Sequence, residues 1–243
     1  MDFELSIQNS IDWLDSNAAR IDKLAGNCHW PNPYFSSAWL RAWWKRVDGP
    51  HRPVFIIVEN SQGELVGFWP LVERAGLLRS RGIWPFIYDE ANYFDPLAQL
   101  TAVQALIDGL QSLLSRYTFV WIPLMRNEFW EKYLAPKVEE SSLLTITRSP
   151  RKTFLIERTN ESFENFLNQK MGVKSRKSFR YDQRALAEQG NVEFEVWEEF
   201  SDVRAMMPAT CVVEVESRKS KNGAGLFSIR GKRAFFFELL PEL

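Results

Sequence analysis

The chain has 243 residues, with 30 Lys and Arg against 31 Asp and Glu, a formal net charge of −1. That length suits one large domain or two small ones, and the even balance disfavours a whole-chain nucleic-acid binder, which is usually basic overall. A hydrophobic content of 45%, with 18 Phe and 10 Trp, excludes a disordered chain and supplies ample core material.

Two cysteines, Cys28 and Cys211, are too few for a disulfide framework. Cys28-His29 is an adjacent pair rather than a spaced one, and with only two histidines no Cys/His zinc site is expected. The start, Met1-Asp2-Phe3-Glu4, lacks the basic and apolar regions of a secretory signal. No apolar run approaches the roughly 18 residues of a membrane span. A reduced, cytoplasmic protein is expected.

In chain order, residues 3–7 read as a strand and 11–24 as a helix with Ile11, Leu14, Ala18, Ile21 and Leu24 on one face. Pro31-Asn32-Pro33 breaks the chain, and Ser36 or Ser37 caps a helix carrying Trp39, Leu40, Trp43 and Trp44. Residues 54–58 and 65–72 form a hairpin about the turn Ser61-Gln62-Gly63, and 84–88 a further strand. Asp95-Pro96 reads as the cap and first residue of a helix to about 115, striped by Val103, Leu106, Leu110 and Leu113. Residues 119–124 read as a buried strand, with short strands at 143–146 and 153–157. Arg148-Ser149-Pro150-Arg151 marks a domain boundary.

Beyond it, Asn160 caps a short helix, Gly172 interrupts, and a second helix runs over 174–189. Residues 192–197 alternate as a strand; 202–217 is helical, with Pro208 kinking or splitting it. A Gly-containing loop, 222–225, precedes a Phe-rich helix over 231–240. Charge is blocky here. Residues 170–184 hold six basic side chains against Asp182 alone, 188–216 hold eight acidic ones against Arg204 alone, and 218–233 hold six basic ones unopposed. No internal repeat is present.

The segment from Phe35-Ser36-Ser37-Ala38-Trp39 to Trp43-Trp44 resembles the opening signature of the CelD/BcsL-type acetyltransferase family, linked to bacterial cellulose and exopolysaccharide synthesis. Leu65-Val66-Gly67-Phe68-Trp69-Pro70-Leu71, Asn92-Tyr93-Phe94-Asp95-Pro96-Leu97 and the basic Ser175-Arg176-Lys177-Ser178-Phe179-Arg180 fit the same pattern in order. Glu216-Ser217 followed by Gly223-Ala224-Gly225 resembles its next landmark, with Arg218 where the family usually has Trp. That family lies in the GNAT superfamily, and its members are similar to Fem-type transferases in carrying two GNAT-like halves.

The resemblance implies an α/β fold with a mixed sheet: a GNAT-like domain over 1–150, then an incomplete second one over 151–243. It implies acyl transfer from acyl-CoA, such as acetyl-CoA, to an amine or hydroxyl of a polysaccharide or cell-envelope precursor. A phosphate-binding turn in such a domain needs glycine and free amides at a helix N-terminus. Asp95 and Pro96 at the expected helix start argue against one in the first half. In the second half, that turn is expected beyond Leu240, so the chain reads as a C-terminally incomplete member. Lys221-Asn222-Gly223-Ala224-Gly225 has phosphate-loop composition, but Ser220 stands where Arg or Gln is expected.

Each candidate has a plain alternative. Arg176, Arg180 and Arg184 at i, i+4 and i+8, with Lys170, Lys174 and Lys177 beside them, form an anion clamp for a phosphate or acidic glycan, or a solvated face. Asp89, Asn92, Tyr93 and Asp95 line a substrate loop with Tyr93 as proton donor, or Asp95 is a cap and Tyr93 a half-buried aromatic. Glu216 is a general base and Ser217 a positioning hydroxyl, or both end a helix. Trp39, Trp43 and Trp44 are core, or a platform for a sugar ring. The expected partner is an anionic small molecule or glycan precursor, with no nucleic acid and no metal. An uncovered apolar face would favour a homodimer. The competing reading is a non-catalytic binding or assembly protein of an exopolysaccharide pathway.

Overall fold

The computed structural model describes residues 2–47, 49–75, 80–87, 91–141, 146, 160–193, 195–197, 199–223, 225, 227 and 230–239. The chain divides into two compact units, Met1–Pro150 with Arg204–Leu243, and Arg151–Val203. Residues 204–243 therefore pack with the first unit rather than with 151–203.

The first unit is mixed α/β, built on one sheet. Strands β1 (Phe3–Gln8), β2 (Arg52–Asn60), β3 (Leu65–Ala75), β4 (Arg81–Pro85) and β6 (Phe119–Val120) lie in that order, and β5 (Leu97–Ala98) pairs with β3. Neighbours from β1 to β4 are antiparallel; β4 and β6 are parallel. Strands β2 and β3 are buried along most of their length, because both sheet faces are covered. One face packs Phe55, Ile57, Phe68 and Val72 under α1 (Ile11–Ser16), α2 (Ala18–Asn27) and α3 (Ser37–Trp44). Phe235 and Leu239 of α11 (Arg230–Leu239) join that core, with Phe235 edge-on to Trp39. The other face packs Val54, Ile56, Val66, Trp69 and Leu71 under α4 (Val103–Leu114). Phe129 of α5 (Asn127–Phe129) joins it, as does Leu134 at the end of the π-helical turn Trp130–Leu134 that leads into α6 (Ala135–Glu139).

Several local expectations change in the folded chain. The helix over 11–24 is two helices, because Asn17 caps α1 with both its backbone N–H and its side-chain amide on the Trp13 carbonyl. Ser36 supplies the cap of α3, accepting the Trp39 N–H, while Asp22 of α2 accepts the Ser37 N–H and hydroxyl. The strand expected over 84–88 begins earlier, as β4. The helix expected from Asp95-Pro96 begins only at a 3-10 turn, Leu100–Ala102, because Leu97 and Ala98 pair with Phe68 and Gly67 instead. Only two residues of 119–124 are strand: Pro123 cannot donate to a ladder, and Leu124 sits at φ 53°. The strand segments expected at 143–146 and 153–157 lie outside the described residues, save Ile146, which is not in a strand.

The second unit carries α7 (Phe163–Lys170) and α8 (Val173–Glu188). Ser162, not Asn160, caps α7 by accepting the Asn165 N–H. Phe163 stacks on Phe166 and meets Phe179 of α8 edge-on. The described residues of 192–197 form no strand; their alternation has no partner to pair with, and Val192, Val196 and Trp197 are exposed. Helix α9 (Phe200–Glu216) runs through Pro208 as one element. Proline costs it one N–H···O bond, and the turns on either side carry the helix across. A short helix, α10 (Arg218–Lys221), follows.

Two features of the sheet lend themselves to measurement. Helix α4 crosses β2 at Gly109, where a Cβ would stand 2.5 Å from Ile56 Cγ2. Gly→Ala gains about 1 kcal/mol in helix propensity, but Ile56 is fully buried and stiff at χ1, and overpacking costs about 1–3 kcal/mol. Gly109→Ala is therefore expected to destabilise by about 1 kcal/mol in urea unfolding, against the sign that propensity alone dictates.

Glu73 of β3 accepts two hydrogen bonds from the Arg81 guanidinium, at 2.5 and 2.7 Å, and one from the Tyr117 hydroxyl at 3.0 Å. The Arg81 bonds hold its carboxyl below the usual glutamate value, against the opposing effect of burial. A depressed folded pKa contributes stability that is present above the unfolded value and lost as pH falls through the folded one. Glu73→Gln is expected to flatten the fall in melting temperature between about pH 5 and about pH 3.

Candidate functional site

The parallel pair β4/β6 sets the site. The chain leaving β4 reaches 91–95, and the chain leaving β6 reaches 121–126. The Trp121 N–H donates to the Ile83 carbonyl, and the Phe94 N–H donates to the Leu124 carbonyl. Both post-strand segments are thereby brought together beyond the carboxyl ends of the parallel strands, the general location of ligand sites in open α/β sheets.

The centre of this cluster is Asp95, which is 0% exposed. Its carboxylate accepts the Arg126 backbone N–H at 2.8 Å and Arg126 Nη1 at 2.6 Å. Arg126 Nη2 donates to the Pro31 carbonyl at 3.0 Å, and the guanidinium lies 4.6 Å over the Tyr93 ring. Buried Asn32 donates its amide to the Tyr93 carbonyl and accepts the Tyr34 N–H. Asn92 donates to the Tyr34 hydroxyl at 2.8 Å. The Trp69 indole N–H closes the set on the Phe94 carbonyl. Burial pushes the Asp95 carboxyl above the usual aspartate value, and the Arg126 contacts oppose that push.

Asp95 is thus neither a helix cap nor a group open to a ligand: Arg126 occupies both carboxylate oxygens. What the cluster presents outward is the 25%-exposed Arg126, with Tyr34, Tyr93 and Asn92 beside it. Two of the five guanidinium N–H groups are bonded within the cluster, so the others can meet an anionic or hydroxyl-bearing group. Nearby, Trp30 Nε1 donates to Glu128, whose other oxygen stands 3.9 Å from His29 Nε2.

The remaining candidates stand elsewhere. Asp89 lies outside the described residues. Ser217 caps α10, accepting the Ser220 N–H, and Glu216 faces Lys221 at 3.5 Å on the surface. No hydrogen bond among the described residues joins either to the Asp95 cluster. In the second unit, Arg176 donates to the Asn168 and Met171 carbonyls, locking the turn between α7 and α8. Arg180 pairs with Glu164 at 2.9 Å, and Arg184 donates to the Arg180 carbonyl. Lys177 is exposed. Trp43 is buried, while Trp39 and Trp44 pack half-buried against the same core.

Sequence reasoning missed Arg126, Asn32 and Tyr34. Arg126 is 31 residues from Asp95, so no local spacing marks it. Asn32 between Pro31 and Pro33 was legible only as a break, although a polar side chain pinned between two prolines is also well placed to bond.

Asp95 and Pro96 precede β5 rather than α4, so the charge and the missing N–H no longer bear on the helix terminus. Residues 97–102 still contain no glycine to admit a phosphate against the backbone. An ordinary pyrophosphate turn therefore does not fit these residues. Among the described residues no group of three or more His, Cys, Asp or Glu is placed to hold a metal ion, and no helix is long and apolar enough to cross a membrane. A scan against protein-family models and a search of the curated proteins both find no match to this chain.

The Asp95–Arg126 pair has a measurable signature. Arg126→Ala leaves a buried carboxylate alone and is expected to cost about 3 kcal/mol. Asp95→Asn combined with Arg126→Ala is expected to cost less than the sum of the singles, because no charge is then stranded. The carboxyl of the Arg126→Ala protein protonates more readily, so its deficit should be smaller near pH 4 than near pH 7. Chemical denaturation at the two pH values reads both effects.

Proposed function

We propose that this chain is an acyltransferase-like protein of the GNAT superfamily, of the CelD/BcsL kind. It would act on an amine or hydroxyl of a polysaccharide or cell-envelope precursor, with acyl-CoA as donor. The observation that carries this reading is the sheet. An antiparallel β1–β4 ladder is followed by α4 and a parallel β6, and a polar cluster stands where the two parallel strands end. The ordered motifs of the sequence point the same way.

In this reading Arg126 and Asn92 orient the acceptor, and Tyr93 is the proton-bearing group beside them. Asp95 acts through Arg126: it holds the guanidinium in place rather than touching substrate. Glu216 and Ser217 remain candidates for a base and a positioning hydroxyl at the end of α9. No step is assigned to CoA, since the turn before α4 is not built for its pyrophosphate.

That same missing glycine favours a second reading, a non-catalytic binding or assembly protein of an exopolysaccharide pathway. Calorimetric titration with acetyl-CoA separates the two. The acyltransferase reading expects saturable heat and a melting temperature that rises with ligand concentration. The absence of both heat and thermal shift would overturn it and leave the binding protein.

A further inference from the structure

Helix α8 runs 16 residues without one that is buried. At 100° per residue, Val173, Lys174, Lys177, Tyr181 and Arg184 fall within one arc of about 100°. All five are exposed; Val173 is 61% and Tyr181 66% exposed. Asp182 lies on the other side of the helix, and Glu188, in the last turn, falls within the arc at the C-terminal end of the face. Lys174 and Lys177 make no hydrogen bond or ion pair among the described residues.

We propose that this face of α8 docks the chain on an anionic lipid surface. Three observations select that occupant. First, Arg176 and Arg180 are committed to α7, so the charges left over are mainly lysines. These are point charges that suit a diffuse negative surface better than bidentate capture of one phosphate. Second, the depression that Arg180, Gln183, Arg184 and Ala187 line on this helix is open to solvent rather than enclosed. A small anion would need an enclosing pocket; a flat surface spanning about 16 Å from Val173 to Arg184 does not. Third, Val173 and Tyr181 stand among the cations. An apolar side chain and an aromatic with a polar tip at that level suit the lipid–water interface. A soluble polyanion would gain little from them, and the even net charge of the chain disfavours a general polyanion binder.

The test is co-sedimentation of the full chain with vesicles of phosphatidylcholine, alone or with about a quarter phosphatidylserine. Binding is expected only to the anionic vesicles and should weaken as salt is raised. Lys174→Gln and Lys177→Gln should each reduce partitioning roughly fivefold, and Tyr181→Ser should reduce it further. These side chains are exposed, so circular dichroism should show unchanged helix content. No binding to anionic vesicles, equal binding to neutral ones, or undiminished binding by the double lysine variant would overturn the proposal. So would displacement by heparin together with undiminished binding of the Tyr181→Ser protein, which would assign the face to a soluble polyanion.

Discussion

Strands β2 and β3 have no polar face, and the first unit is arranged around that constraint. A sheet buried on both sides needs cover on both sides, and each cover comes from a different part of the chain. Helices α1 to α3 and the distant α11 take one face; α4 and the 127–139 segment take the other. The fit is close at two glycines, one between helix and sheet and one between neighbouring strands. A Cβ at Gly109 would strike Ile56, and one at Gly82 would stand 2.2 Å from the Phe119 ring. The second contact lets β6 lie against β4.

The parallel β4/β6 pair follows from the same demand. Having left β4, the chain must return across the apolar face, and α4 with its stripe of Val103, Leu106, Leu110 and Leu113 provides that crossing. The return delivers residues 121–126 to the same end of the sheet as 91–95. There a buried aspartate meets an arginine, because leaving the carboxylate unpaired in that position would be costly. The polar cluster is thus a consequence of topology, and its outward-facing groups are what a ligand would encounter.

The second unit obeys a different rule. Its two helices bury little; Leu167 is its one fully buried hydrophobic among the described residues. Arg176 does for the α7–α8 turn what core packing does in the first unit, by satisfying carbonyls at the end of α7. An arginine read from spacing as part of an anion clamp therefore has a structural task, while the neighbouring lysines keep theirs open.

Much of the local structure was legible in the sequence, because it depends on short-range physics. The 54–58 and 65–72 hairpin, the Ser36 cap, the break at Gly172 and the helical stripe of 103–113 all follow from periodicity and turn chemistry within a few residues. What misled was likewise local. Asp95-Pro96 has the chemistry of a helix start, and nothing nearby reveals that Phe68 and Gly67 will pair with the next two residues or that Arg126 will take the carboxylate. Residues 192–197 alternate like a strand, but those of them that the structure describes pair with no ladder. The candidate site was half visible: Asn92, Tyr93 and Asp95 stand in one motif, while Arg126, Asn32 and Tyr34 enter from segments 31 to 63 residues away. Sequence alone determined which segments are apolar and where most of them turn. Tertiary structure decided which polar groups meet, because a buried charge is settled by whichever partner the fold brings within hydrogen-bond distance.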